Sequence, residues 1–259
     1  MKKFLKCGGV RPLLFVLLLL GAELMGAATR KDVRLLEASE ELKFISQQIV
    51  MDYFYLALNP QKKEAADKLQ HGLAQLDEQL RLIAISTKNE DTKDVLTFLA
   101  FSRDQILETV SQPYSKENGA LMLDYSEVLL EGAESIANNH KYTFSKEEQM
   151  LIDVKGMAYL VERITKYYMA FQAGFDDLNN VRQLKDAVGL FEDRLGRIGH
   201  YPYRGGSAEA RSAVERFWSV VKRYYLSLDK SKMPNILYLS AGHLEEILGK
   251  LELYHIKNL

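Results

Sequence analysis

The sequence predicts an all-α protein built as two tandem up-down antiparallel four-helix bundles. Three observations carry this. Leu, Ala, Glu, Lys and Gln are abundant in a chain of 259 residues with only 5 Pro and 16 Gly, a composition that favours helix. Apolar residues recur three and four apart through eight segments, the period of one helical face. The whole plan then repeats at a shift of 115 residues.

The first 28 residues stand apart from this plan. Lys2, Lys3, Lys6 and Arg11 form a positive start, and the apolar run Leu13–Ala22 is too short to span a bilayer comfortably but suits a signal peptide. Gly26 and Ala28 supply small residues for cleavage, so residues 1–28 are expected to be a cleaved signal and the chain periplasmic or secreted. The alternative is an uncleaved anchor. Cleavage removes four basic residues and one Glu, turning the net charge of −1 into −4, and takes away Cys7, the only cysteine. The exported part then has neither disulfide nor thiol chemistry, and without a basic face it does not suit nucleic acid.

The first helix is expected over Thr29–Ala57, with Leu35, Leu42, Ile45, Ile49 and Leu56 on its apolar stripe and Asn59-Pro60 as its stop. The second, Lys62–Ile85, carries Leu69, Leu73, Leu76, Leu80 and Ile83 at coiled-coil spacing. Thr92 is placed to cap the third, Lys93–Val110. The fourth runs from Glu117 to Asn139. Ser145 and Glu148 form a capping-box pattern before the fifth, which continues to Ala173 with Gly174 as its stop. The sixth is Leu178–Ile198, the turn-rich GHYPYRGG loop follows, and Ser207 opens the seventh, Ala208–Leu228. Pro234 suits the first turn of the eighth, which reaches His255.

The shift of 115 places Leu42 on Met157, Ile45 on Leu160, Ile49 on Ile164, Tyr53 on Tyr168, Leu80 on Leu195 and His140 on His255. Short polar links favour antiparallel neighbours and hence a first bundle over 29–142 and a second over 143–259. The first and fifth helices alternatively pack together in one composite bundle.

No Gly-rich phosphate loop, GxSxG or HExxH motif is present, and none of the five His has the spacing of a metal bundle. The expectation is a non-enzymatic protein without catalytic residues, metal or cofactor. His140 and His255 fall at helix ends, where an imidazolium suits the dipole. Tyr201, Tyr203 and Arg204 are a candidate partner-docking surface in an exposed loop.

The run Lys43-Phe44-Ile45-Ser46-Gln47-Gln48-Ile49 resembles the R-M-L-S-Q-R-I helix signature of the PilJ-type domain, the extracytoplasmic sensor domain of type IV pili chemotaxis transducers, related to that of NarX-like nitrate sensors. Ala158-Tyr159-Leu160-Val161-Glu162-Arg163-Ile164 resembles it again. The resemblance implies a four-helix sensor bundle in which signature arginines bind a small oxyanion such as nitrate. Here the first arginine position holds Lys43 and Ala158, and the second holds Gln48 and Arg163. Lys43, Ser46, Gln47, Gln48 and Arg163 are therefore the candidate ligand-binding residues. The expected partners are a membrane receptor or pilus-associated protein, with homodimerisation as in the family. The alternative is an adaptor bundle that binds proteins without a small ligand.

Overall fold

The computed structural model describes residues 30–230 and 232–259; the expected signal segment lies outside them. The described residues form eight helices and no strand: α1 Arg30–Leu58, α2 Lys63–Ser86, α3 Glu90–Ser111, α4 Lys116–Asn139, α5 Lys146–Gln172, α6 Leu178–Gly199, α7 Gly206–Tyr225 and α8 Pro234–Ile256. The all-α class and the order of elements agree with the sequence reading. No helix among the described residues is long and apolar enough to cross a membrane.

The helix ends follow local chemistry. Ser145 Oγ accepts from the Glu148 amide while Glu148 Oε2 accepts from the Ser145 amide at 2.7 Å, the reciprocal capping box. At the other end of α5, Gly174 takes φ 89°. Its amide donates to Phe171 O, and that of Phe175 to Ala170 O, the paired bonds of a Schellman stop. Pro234 occupies the first turn of α8. Two caps differ from expectation. Asn89, not Thr92, caps α3: its Oδ1 accepts from the Thr92 amide at 2.9 Å, and Thr92 is buried within the first turn. Ser207 lies inside α7, whose cap is Gly205 at φ 56°.

Packing repeats between the halves. The first helix, α1, contacts α2 and α4, and α3 lies on α4 with an edge on α2. In the same way α5 contacts α6 and α8, and α7 lies on α8 with an edge on α6. The central contact is α1 on α5, as extensive as any either helix makes within its own half. One contiguous apolar core runs through all eight helices. The two central helices are consequently covered on every side: α5 is buried without interruption from Tyr159 to Ala170. A helix so placed should be apolar all round, yet Ser46, Gln47, Asp52, Asp153, Glu162, Arg163, Thr165 and Lys166 are all buried. Asp153 is satisfied by Arg194 at 3.1 Å and Arg197 at 2.7 Å, which clamp α6 onto α5. The others gather at the middle of the α1–α5 pair.

Candidate functional site

Two polar centres flank that midpoint. The first is cationic. Arg163, Lys166 and Tyr167 are three and four apart on α5 and so share a face. Opposite them, α4 presents Ser126 and Glu127. Arg163 donates from both terminal nitrogens to Glu127, at 3.0 Å and 2.7 Å, and a third bond of 2.8 Å goes to Gln183 of α6. Lys166 Nζ donates to Glu127 Oε1 at 2.6 Å and to Ser126 Oγ at 2.9 Å. The Tyr167 ring lies 4.2 Å from Lys166 Nζ and 5.4 Å from the Arg163 guanidinium carbon, adding a cation–π wall.

The first helix joins through Gln47, whose Nε2 donates to Ser126 O at 3.3 Å and to Ser46 Oγ at 3.0 Å. Ser46, Gln47 and Arg163, expected together from sequence, thus belong to one network bridged by Ser126 and Glu127. Lys43 and Gln48 do not join it. The Lys43 ammonium pairs with Glu40 at 2.8 Å in a separate cleft beside Glu134 and Lys141. Gln48 faces α2, with its Oε1 beside Gly72.

Electrostatics divides the centre. Lys166 is wholly buried and Arg163 is 8% exposed, whereas the Glu127 side chain is 27% exposed. Burial pushes the Lys166 ammonium down to about 8 against the pull of Glu127. Burial alone would raise Glu127, but Lys166 and Arg163 outweigh it and hold its carboxyl below the ordinary range. Two buried cations share a single carboxylate, and Gln47 Oε1 has no hydrogen-bond partner among the described residues.

The second centre is acidic. Asp52 Oδ1 accepts from the Tyr238 hydroxyl at 2.7 Å. The Glu162 carboxyl, turned the other way on α5 from Arg163, lies beside Glu245 of α8. Asp52 Oδ2, Glu162 Oε2 and Glu245 Oε1 are buried without partners among the described residues. Burial, reinforced by Glu245, raises Asp52 to about 7, although Tyr238 and the Lys68 charge act to lower it. Burial also holds Glu162 far above the carboxylate range, with Glu245 and Asp52 adding to it.

The shift of 115 relates the two centres residue by residue: Gln47 to Glu162, Gln48 to Arg163, Asp52 to Tyr167, Lys68 to Gln183, Glu127 to Gly242 and Leu130 to Glu245. Each of these pairs sets a charged residue against an uncharged one. Sequence reading passed over Glu127, Lys166, Asp52 and Glu245. The available signal was the near absence of charge on the central stretches: between 42 and 56 only Lys43 and Asp52 are charged, and between 157 and 171 only Glu162, Arg163 and Lys166. Charges on so apolar a helix are interior charges.

The expected docking loop folds inward. Tyr203 is 8% exposed and its hydroxyl meets His255 Nε2 at 2.7 Å, while His255 Nδ1 meets Glu147 Oε2 at 3.0 Å. Tyr201 donates to Glu147 Oε1 at 2.6 Å, and only Arg204 of the three candidates is exposed. His255 is fully buried in this cluster and serves as more than a cap. His140 caps α4, its Nε2 lying 3.3 Å from Thr92 Oγ1.

Comparison with protein-family profiles, with curated proteins and with solved structures finds no match to this chain.

Proposed function

We propose that this chain is an exported, non-catalytic ligand-sensing protein of two PilJ-like four-helix units, and that a small oxyanion binds at the Arg163–Lys166 centre. The observation that carries the reading is the sharing of one carboxylate by two buried cations at the middle of the central helix pair. Glu127 acts there as an internal stand-in for the ligand. Its bidentate bond to Arg163 has the geometry a planar oxyanion would adopt. Being partly exposed, it is the member free to swing outward. Its departure would loosen α4 from α5 and let the α1–α5 pair shift, the kind of two-state movement packed helices support. A membrane receptor or pilus-associated partner would read that shift.

Thermal denaturation with a panel of small anions tests this, because only a ligand that prefers the native state raises the melting temperature. One anion should stabilise the wild type. Glu127→Gln should lower the concentration needed, and Arg163→Ala should abolish the effect. Stabilisation that persists in Arg163→Ala defeats the assignment.

A second reading, an adaptor that binds proteins alone, is favoured by Phe98 and Phe101, 71% and 60% exposed three residues apart on α3. Under it, no anion shifts the melting temperature, and Phe98→Ser with Phe101→Ser abolishes co-purification of a partner while leaving the fold intact.

A further inference from the structure

The acidic centre is not sealed. Glu245, whose Oε1 lacks a partner, also lines a cleft of about 180 Å³ between α1, α5 and α8. Glu40, Glu41 and Glu252 line the same cleft, with Phe44 and Ala158 as its apolar wall. Among the described residues that line it, the one cation is Lys155, 2.7 Å from Glu252 and 4.0 Å from Glu41. Behind Glu245 stand Glu162, 1% exposed, and Asp52, fully buried, each with one oxygen unpartnered among the described residues. Carboxylates are therefore continuous from the mouth of the cleft to the α1–α5 midpoint. Unpartnered buried oxygens are costly, and three of them in one cluster have no donor among the described residues.

We infer that this cleft binds a small protonated aliphatic amine, most simply a diamine, with one ammonium on Glu245 and the methylene chain along Phe44. Several features select an amine over other cations. An ammonium offers three donors in a compact head, matching carboxyl oxygens that have no hydrogen-bond partner among the described residues. Among the described residues no group of three His, Cys, Asp or Glu side chains has the arrangement to hold a metal ion. The cleft is also far larger than an ion, and its Phe44 and Ala158 wall suits methylene groups. Lys155 shows the chemistry in place: its own alkylammonium already bridges two of the glutamates. The site is separate from the oxyanion centre and does not depend on that reading.

The test is thermal denaturation of the protein at pH 8 with 1,4-diaminobutane, against 1,4-butanediol, NaCl and MgCl2 at matched ionic strength. The diamine should give a saturable rise of about 5 °C or more at a hundredfold excess over its dissociation constant. Neither the diol nor the salts should reproduce it. Glu245→Gln should lose the rise, and Lys155→Met, which vacates the cleft, should lower the half-saturating diamine concentration. Absence of a rise in the wild type overturns the inference. So does a rise that survives Glu245→Gln, or one that NaCl or MgCl2 matches.

Discussion

Replacing Asp52 by Asn should make the protein's stability much less sensitive to pH between 5 and 7. Asp52 is fully buried and its carboxyl is raised from 3.8 to about 7, by burial first and by Glu245 in addition. An acid whose folded pKa is raised keeps a proton that the unfolded chain has already lost. Its protonation therefore supports folding at low pH, and that support is lost as pH climbs from the unfolded value through the folded one. About three units at roughly 1.4 kcal/mol each make the full span about 4 kcal/mol. The interval from pH 5 to 7 lies within the window and should account for about 2–3 kcal/mol. Asn cannot ionise, still accepts from Tyr238, and offers an amide to the unpartnered oxygens of Glu162 and Glu245. Chemical denaturation followed by circular dichroism at pH 5, 6 and 7 measures the difference. The variant should lose less stability than the wild type across this range, and should exceed it at pH 7. Parallel pH profiles for the two proteins would refute the placement of Asp52 in a protonated, interior cluster.

Three other outcomes follow from backbone and cap geometry, each measured by the same denaturation. Ser145→Ala removes half of the α5 capping box and should cost about 1 kcal/mol, while Ser207→Ala, which removes no cap, should be nearly neutral. Gly174→Ala forces a Cβ into a residue at φ 89° and should cost about 1 kcal/mol or more. Gly189→Ala, in mid-α6 with open space around the added methyl, should instead stabilise by about 0.5–1 kcal/mol.

The helices were legible because each carries its own signals. Leu69, Leu73, Leu76, Leu80 and Ile83 stand on one face of α2 and are all buried there, and the Ser145–Glu148 box and Gly174 bound α5 by chemistry internal to a few residues. Thr92 misled because a buried threonine in a first turn resembles a cap unless the preceding Asn89 is weighed against it. Tyr203 misled for a different reason. A loop rich in Gly and Pro reads as exposed, but His255, 52 residues ahead of Tyr203, draws its hydroxyl inward, and Glu147, 56 residues behind, holds His255 in turn. Such long-range partners leave no local trace.

The candidate site was half legible for a related reason. A repeat aligns positions but does not say which faces of a repeated helix meet. Once α1 and α5 pack on each other, the polar residues that would have formed a solvated face become interior, and their cost must be met inside the protein. On one side Glu127 meets it in part, by pairing with both Arg163 and Lys166 through short, charge-assisted bonds. On the equivalent side Glu127 is replaced by Gly242, a residue with no side chain, and Leu130 by Glu245, so the carboxylates face one another and must hold protons or find a cation. The contrast between the two centres thus follows from a few differences between positions related by the shift of 115. The central pair holds two charge centres, one around Glu127 and one around Glu162 and Glu245. If these centres merely filled space, apolar residues of like volume would serve as well or better. Replacing the whole triad, Glu127→Leu with Arg163→Met and Lys166→Met, should then fold at least as stably as the wild type yet lose all response to oxyanions, which separates the cost of the buried charges from their use.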